Sequence, residues 1–288
     1  MKIFLPVLLS AILLAGCNNN NKVVIKGAFT APAEGVVYLD QSEVDRSIRV
    51  DSAEIRRGRF KFVAEISGPE FFQVRFPGNE FVALLVMPGE DISLELGKAP
   101  VAMNYTVQGS PGSSDIRMLD QQLLVTRGRL DSLRTIYTSL SSDELALRGP
   151  ELEKAYTDAV EAQRKFNIKF VIENISSMSS IQALYQRLDE NTYVLYQPRD
   201  LQYLKIVSDS LSVRYPVSRH VRALKENVTS ELNQMYINRI SSLAMQLPET
   251  KSSPELPDIN GKMISLASLK GKYVLVSFWS TASEASMN

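Results

Sequence analysis

The sequence of 288 residues contains one cysteine, one histidine and one tryptophan. A single cysteine, Cys17, excludes a disulfide within the chain, and a single histidine, His220, excludes a metal site built from several histidines. A Ser-His-Asp triad would use His220, but no Gly-x-Ser-x-Gly turn is present. Because His220 lies in an arginine-rich helix start, we expect it to have a surface or helix-flank role.

Charge of either sign is not in excess, since 32 basic residues balance 32 acidic ones. Without a basic block, the sequence indicates no nucleic-acid partner. Glycine-rich phosphate loops are also missing, so we expect no nucleotide cofactor. Asp40, Glu43, Asp45 and Asp51 cluster near one predicted loop, but they lack the alternating spacing of a calcium loop. We therefore predict solvated loop charge there, and no metal site.

The first residues have the pattern of an export signal. Lys2 precedes a mostly apolar run of 12 residues, from Ile3 to Leu14, which is short for a membrane span but typical of a signal peptide. The following Leu14-Ala15-Gly16-Cys17 resembles a bacterial lipobox. That resemblance implies a signal peptide at residues 1–16, lipidation of Cys17 and a polar tether at 17–22. The partner would be a membrane, with the protein in the cell envelope, on the outer membrane facing the periplasm.

Residues 23–110 predict an antiparallel β-sandwich. Short alternating or apolar runs recur there with turn residues every 8–15 positions, and no stretch has a helical period. The predicted strands begin near residues 23, 36, 47, 60, 71, 81, 92 and 105. One turn is predicted at Arg57-Gly58. Phenylalanines in this region are expected to be mostly core, because strand alternation points about half of them inward. They are Phe60, Phe62, Phe71, Phe72, Phe76 and Phe81.

Residues 111–250 predict helices. A capping signal at Ser113 to Asp115 precedes apolar residues spaced by three and four up to Leu140. A second stripe begins at Pro150, a favoured first-turn residue, after a loop that contains Gly149. Together they predict an antiparallel helical hairpin. Shorter helices are expected near 180–188 and 199–211, and a long one over 217–246. The last would turn Val221, Leu224, Val228, Leu232, Met235, Ile240 and Leu243 inward.

The final segment, residues 251–288, predicts a hairpin and a buried strand. Asn260-Gly261 lies between two apolar pieces and indicates a tight turn with positive φ at both residues. The run Tyr273 to Trp279 reads as the strand. The overall fold class is therefore α+β.

This ending resembles the opening of a thioredoxin-like domain of the ResA/TlpA type. The resemblance rests on the segments Pro257-Asp258, Gly261-Lys262, Leu269 to Lys272 and Phe278-Trp279. Ser283 and Ser286 stand where that family has its two cysteines, and a serine cannot form a disulfide. The sequence also stops where the active-site helix of that family begins. The resemblance therefore implies a truncated, redox-inactive thioredoxin-like segment.

The β region resembles a domain of unknown function that precedes such thioredoxin-like domains in envelope lipoproteins. Matching segments are Ile25 to Gly27, Val37 to Leu39, Asp51 to Ala53, Gly58 to Phe62 and Pro88 to Glu90. A partial match follows in the helical spacer at Phe170 to Leu188. We expect a membrane-anchored binding or scaffold module with a protein or peptide partner, rather than an enzyme. The alternatives are a fragment of a longer thiol-disulfide oxidoreductase and a glycan-binding lipoprotein, although Trp279 indicates packing instead of a glycan platform.

Overall fold

The computed structural model describes residues 21–246 except Asn79, residues 255–269, and the single residues Gly271 and Tyr273. The chain divides into two compact units, one up to Leu232 and one from Asn233. The fold is mixed α+β, as predicted. The predicted boundaries of the individual domains stay predictions.

Eight strands form the N-terminal part of the described chain, one at each of the eight predicted places. They are β1 Lys22–Phe29, β2 Val36–Ser42, β3 Ser47–Glu54, β4 Arg59–Glu65, β5 Glu70–Arg75, β6 Phe81–Val86, β7 Asp91–Leu96 and β8 Tyr105–Gln108. The first sheet has the order β4-β1-β7-β8 and the second the order β3-β2-β5-β6. All pairs are antiparallel except β1 with β7, which run parallel. The two sheets enclose one core, as in a sandwich.

Strand alternation explains how the first sheet covers this core. In β4, Phe60, Phe62 and Ala64 are buried. Lys61, which lies between them in sequence, and Arg59, which precedes them, are exposed. The same period of two places Ile25 of β1 and Ile92 of β7 inside. Gly27 leaves room for Phe60, because a Cβ atom on Gly27 would collide with the Phe60 ring. The predicted turn before β4 is present, with positive φ at Arg57 (53°) and Gly58 (71°).

Strand β5 is buried on both faces. Phe72 belongs to the core between the sheets, whereas Phe71 belongs to a second core shared with the helices. Leu85 of β6 packs into the same second core, against residues that include Ile116 and Leu119. The second sheet therefore lies between the first sheet and a layer of helices. Five of the six phenylalanines are core residues as expected, and Phe81 is 46% exposed.

The described chain contains five α-helices. They are α1 Pro111–Ser139, α2 Ser142–Glu173, α3 Ser179–Tyr185, α4 Leu201–Arg214 and α5 Arg219–Gln246, with a 3₁₀ turn at Pro198–Asp200 before α4. The N-cap of α1 is Ser110 rather than the predicted Ser113 to Asp115. The hydroxyls of Ser110 and Ser113 both donate to the carbonyl of Leu85, at 3.1 and 2.9 Å. These bonds attach the start of α1 to β6.

The predicted hairpin of two helices is confirmed, but its joint lies elsewhere. We expected a loop containing Gly149 and a second helix from Pro150; instead α2 begins at Ser142, and both residues lie inside it. Ser141 and Glu144 form a capping box, in which the Ser141 N–H donates to Glu144 at 2.9 Å. This cap satisfies free N–H groups at the earlier start. The connection between α1 and α2 is consequently only two residues long.

Helix α5 buries fewer of its apolar residues than predicted. Val221, Leu224 and Val228 are buried in the second core. Leu232, Met235 and Ile240 are 39%, 47% and 49% exposed, so the prediction that they point inward is wrong. The Leu243 side chain lies outside the described residues.

The second unit contains the predicted hairpin, formed by β9 Glu255–Pro257 and β10 Met263–Ser265. Its turn differs from the prediction, because only Gly261 of the Asn260-Gly261 pair has positive φ, at 79°. The Asp258 carboxylate instead accepts from the N–H groups of Asn260 and Lys262, at 2.8 and 2.9 Å. This side-chain cap produces a wider, five-residue turn. Beyond Tyr273, the predicted strand to Trp279 lies outside the described residues.

Candidate functional site

Three residues singled out from the sequence, Cys17, Ser283 and Ser286, lie outside the described residues. The lipidation of Cys17 and the loss of both cysteine positions stay predictions. The remaining candidates are His220 and the acidic cluster around Asp40, and both have defined surroundings.

His220 is the second residue of α5, the helix-flank position that the sequence predicts. Its Nε2 lies 3.0 Å from the carbonyl oxygen of Ser42 at the end of β2. Its ring packs edge-on against Phe71 with the ring centroids 4.9 Å apart. Burial lowers the pKa of His220, and the Glu70 carboxylate and the Ser42 carbonyl oppose this shift. The imidazole therefore joins the helical layer to the second sheet.

The expectation of solvated charge in the acidic cluster is wrong for Asp40. Its side chain is 1% exposed and forms ion pairs with Arg75 and with Arg49, the latter at 3.4 Å. The Arg49 guanidinium also lies 3.8 Å above the ring of Tyr38. Strand β2 extends through Ser42, so Asp40 is carried into the sheet, where arginines of β3 and β5 compensate its charge. Asp45 and Asp51 are exposed, as expected.

A chain of polar side chains crosses the helical layer. Thr126 donates to Gln163 at 2.6 Å, Gln163 to Asn167 at 2.8 Å, and Asn167 to Gln186 at 2.9 Å. Gln186 in turn donates to the carboxylate of Asp120 at 3.3 Å. Burial raises the pKa of Asp120, against the hydrogen bonds from Gln182 and Gln186. Every member already has a partner within the protein, so this chain fixes how the helices pack.

One surface feature of the described residues that can accept a ligand is a groove on the β-sandwich, which we call the basic groove. It has a volume of about 710 Å³. Its lining residues come from β1, the end of β3, β4 and β7. They are Lys26, Gly27, Ala28, Ala53, Glu54, Arg56, Arg59, Phe60, Lys61, Ser93 and Leu94.

Strand register brings the polar members of the basic groove together. Lys61 of β4 lies directly opposite Lys26 of β1, which in turn lies opposite Ser93 of β7. In the next row, Arg59 lies opposite Ala28. Because their strand neighbours are buried in the core, these five side chains share the outward face of the sheet. Ala28 lies between Arg59 and Glu95, which is opposite Ala28 on β7 and exposed on the same face.

Half of the cationic side chains of the basic groove have a carboxylate partner. The groove contains four cationic side chains and one carboxylate, Glu54, which pairs with Arg56 at 3.1 Å. Lys26 pairs at 2.7 Å with Asp91, just outside the lining residues. Within the described part of the chain, the side chains of Arg59 and Lys61 have no hydrogen-bond or ion-pair partner. Two partly exposed cations are therefore available to an anionic ligand.

Sequence reasoning missed this groove. The alternation Arg59-Phe60-Lys61-Phe62 did place two cations on one face of β4. It could not place Lys26 and Ser93 beside them, because that depends on the pairing of β1 with both β4 and β7.

Other site types find little support in the described residues. No group of three or more His, Cys, Asp or Glu side chains there is arranged to hold a metal ion. None of the described helices combines the length and apolar character that crossing a membrane requires.

The architecture defines a class of protein, an α+β chain with a β-sandwich backed by helices. In a comparison with known families, residues 23–115 match a domain of unknown function, DUF4369. The match begins in β1 and ends at the fifth residue of α1, so it covers both sheets. A search among curated proteins finds no match to the chain.

Proposed function

We propose that this protein is a lipid-anchored binding module of the cell envelope, with the basic groove as its ligand site. The observation that carries the proposal is the groove itself: about 710 Å³ of space beside Arg59 and Lys61, which have no ion-pair partner among the described residues. Support for the envelope location comes from the apolar leader and the lipobox-like Leu14 to Cys17. On this proposal the anchor lies in the outer membrane and the β domain faces the periplasm.

The anchor can be tested by metabolic labelling with a palmitate analogue in a bacterial host. The expected result is label in the membrane fraction for the original chain and no label for Cys17→Ser. Equal labelling of both would disprove the anchor. Ser10→Ala, a change within the leader that leaves the cysteine in place, serves as the control.

Ligand binding can be tested by photo-crosslinking in intact envelopes. A photoreactive amino acid replaces Ala28 in the basic groove, or Glu65, which is exposed on β4 outside the groove. We expect a discrete adduct at position 28 that disappears when Arg59 and Lys61 are both changed to glutamine. No adduct at 28, or the same adduct at 28 and 65, would refute a ligand site in the groove.

A second candidate is that the chain belongs to a longer thioredoxin-like thiol-disulfide oxidoreductase. It is favoured by the β9–β10 hairpin with its Asp258–Lys262 turn, the opening that the resemblance implies. Reading the coding sequence beyond the Asn288 codon tests it. An in-frame thioredoxin remainder would support this candidate, and a stop codon followed by unrelated sequence would exclude it.

The two candidates also differ in activity. Ser283 and Ser286 replace the reactive pair, so the binding-module proposal predicts no reduction of insulin disulfides by the purified chain. A measurable rate that exceeds the buffer control would contradict this.

A further inference from the structure

The pairing of Lys26 with Lys61 is unfavourable for the folded protein alone. Residues directly opposite on antiparallel strands have Cβ atoms about 5 Å apart, and like charges in such a pair destabilise the sheet. Among the described residues, Lys26 has a carboxylate partner, Asp91 at 2.7 Å, and Lys61 has none. An anion held between the two ammonium groups would remove the repulsion.

Two further polar side chains lie on the same face of the sheet. Arg59 lies two residues from Lys61 on β4, and Ser93 lies beside Lys26 on β7. A guanidinium presents a planar fork of donors that matches phosphate oxygens, and a lysine supplies a point charge. The donors thus come from three neighbouring strands of one sheet. Several donors on one face suit a phosphate better than a carboxylate, because a phosphate offers more oxygen acceptors than the two of a carboxylate.

We propose that the basic groove binds a phosphate group, with Arg59, Lys61 and Lys26 as its cationic ligands and Ser93 as a hydroxyl donor. This inference rests on the proposed function, since it names the ligand class of the same groove. The phosphate could belong to a soluble compound or to an anionic lipid headgroup. Ala28 and Ala53 also line the groove, and their small side chains leave space for the uncharged part of such a ligand.

The test uses residues 17–288, the mature form that the proposed function implies, with Cys17→Ser, so that neither the apolar leader nor an acyl group complicates vesicle binding. One arm titrates inorganic phosphate, with acetate in parallel. The other compares vesicles of phosphatidylglycerol with vesicles of phosphatidylcholine. Each arm is run on the parent chain, on Arg59→Gln/Lys61→Gln, and on Lys22→Gln. The last removes an exposed cation from the same sheet, outside the groove.

The expected result is that the double variant weakens binding by roughly tenfold or more, as the loss of charge-assisted hydrogen bonds predicts. Lys22→Gln should change it by less than about twofold, as a single cation on an exposed surface contributes little. Dependence in the phosphate arm alone identifies a soluble ligand, and dependence in the phosphatidylglycerol arm alone identifies a headgroup. Equal affinity for acetate and phosphate, or no dependence on Arg59 and Lys61 in either arm, would overturn the proposal.

A stability measurement adds a readout that does not depend on finding the natural ligand. Without phosphate, Lys61→Gln should raise the melting temperature, because it removes the repulsion with Lys26. Addition of phosphate should raise the melting temperature of this variant less than it raises that of the parent chain. A lower melting temperature without phosphate would mean that Lys61 has a structural role and would count against the proposal.

Failure of this inference can be distinguished from failure of the proposed function. A groove-dependent adduct at position 28 that contains no phosphorus would overturn the phosphate assignment and leave the binding module intact. Absence of any adduct would refute the ligand site itself.

Discussion

Asn167 is the centre of the polar chain in the helical layer. It is fully buried, accepts from Gln163 and donates to Gln186 and to the carbonyl of Ala183 at 2.8 Å. Replacement by alanine would leave three buried groups without their partner. A buried polar group in that state costs roughly 1–3 kcal/mol, so we predict that Asn167→Ala lowers the free energy of unfolding by about 2–4 kcal/mol.

Urea denaturation measures this loss. The matched control is Asn191→Ala, at an exposed asparagine, which should change stability by less than about 0.5 kcal/mol. Equal effects of the two substitutions would show that the polar chain adds nothing to stability.

His220 makes stability depend on pH. Burial lowers its pKa below the ordinary value of about 6.5, so between the two values the unfolded chain binds more protons than the folded one. The stability that the neutral imidazole provides is complete above pH 6.5 and is lost as the pH falls toward the folded-state pKa. We predict that the free energy of unfolding decreases from pH 7.5 to 5.5.

The matched variant is His220→Gln, whose amide can still donate toward the Ser42 carbonyl but does not titrate. Glu43, Glu70 and Arg219 surround the position and stay unchanged. Denaturation at both pH values should show a smaller decrease in the variant. An identical decrease would assign the pH dependence to other groups.

Substitutions at two glycines distinguish the effect of local backbone preference on stability from the effect of side-chain packing. Gly128 lies in the middle of α1, and a Cβ atom there would meet no atom within 4 Å. Gly128→Ala should therefore stabilise the protein by about 0.5–1 kcal/mol. Gly27→Ala should destabilise it, because Phe60 occupies the space of the new methyl group. Thermal unfolding of both variants checks the opposite signs; a stabilised Gly27→Ala would contradict the packing of Phe60 on β1.

The strands were predictable because their information is local. Alternation of buried and exposed residues, as in Phe60 to Phe62, directly marks a strand with one face on a core. The joint of the helical hairpin was misplaced because Gly149-Pro150 is also a local signal, yet the capping box at Ser141 and Glu144 prevailed. The exposed part of α5 was missed because periodicity shows which residues share a face, but not whether another element covers that face.

The basic groove shows the same limit at the level of sheets. Lys26 and Lys61 are 35 positions apart, and Ser93 is still farther from Lys26. Nothing in the sequence states that β1 lies between β4 and β7, with one antiparallel and one parallel neighbour. The cations could be found on their strands, but the site required the strand order.

For the whole molecule, the double burial of β5 ties the β domain to the helices. Phe71 and Leu85 belong to the core that includes Ile116 and Leu119. We predict that residues 17–115 alone expose this apolar face and aggregate or bind a hydrophobic dye, while residues 17–232 unfold in one cooperative transition. Analytical ultracentrifugation and calorimetry measure both.

The control is the short form with Phe71→Thr and Leu85→Thr, which should be monomeric. If the unmodified short form is monomeric and melts cooperatively, the β domain is independent of the helices.

The burial of β5 on both faces also limits how such chains can diverge by exchange of parts. A new helical layer can be joined to this β domain only if it supplies side chains complementary to Phe71 and Leu85. It must also supply hydrogen-bond donors for the Leu85 carbonyl in place of the two serines. The outward face of the first sheet does not have to be complementary to the helical layer. We therefore expect relatives to vary the ligand preference of the β domain freely on that face, while the residues toward the helices change only in concert.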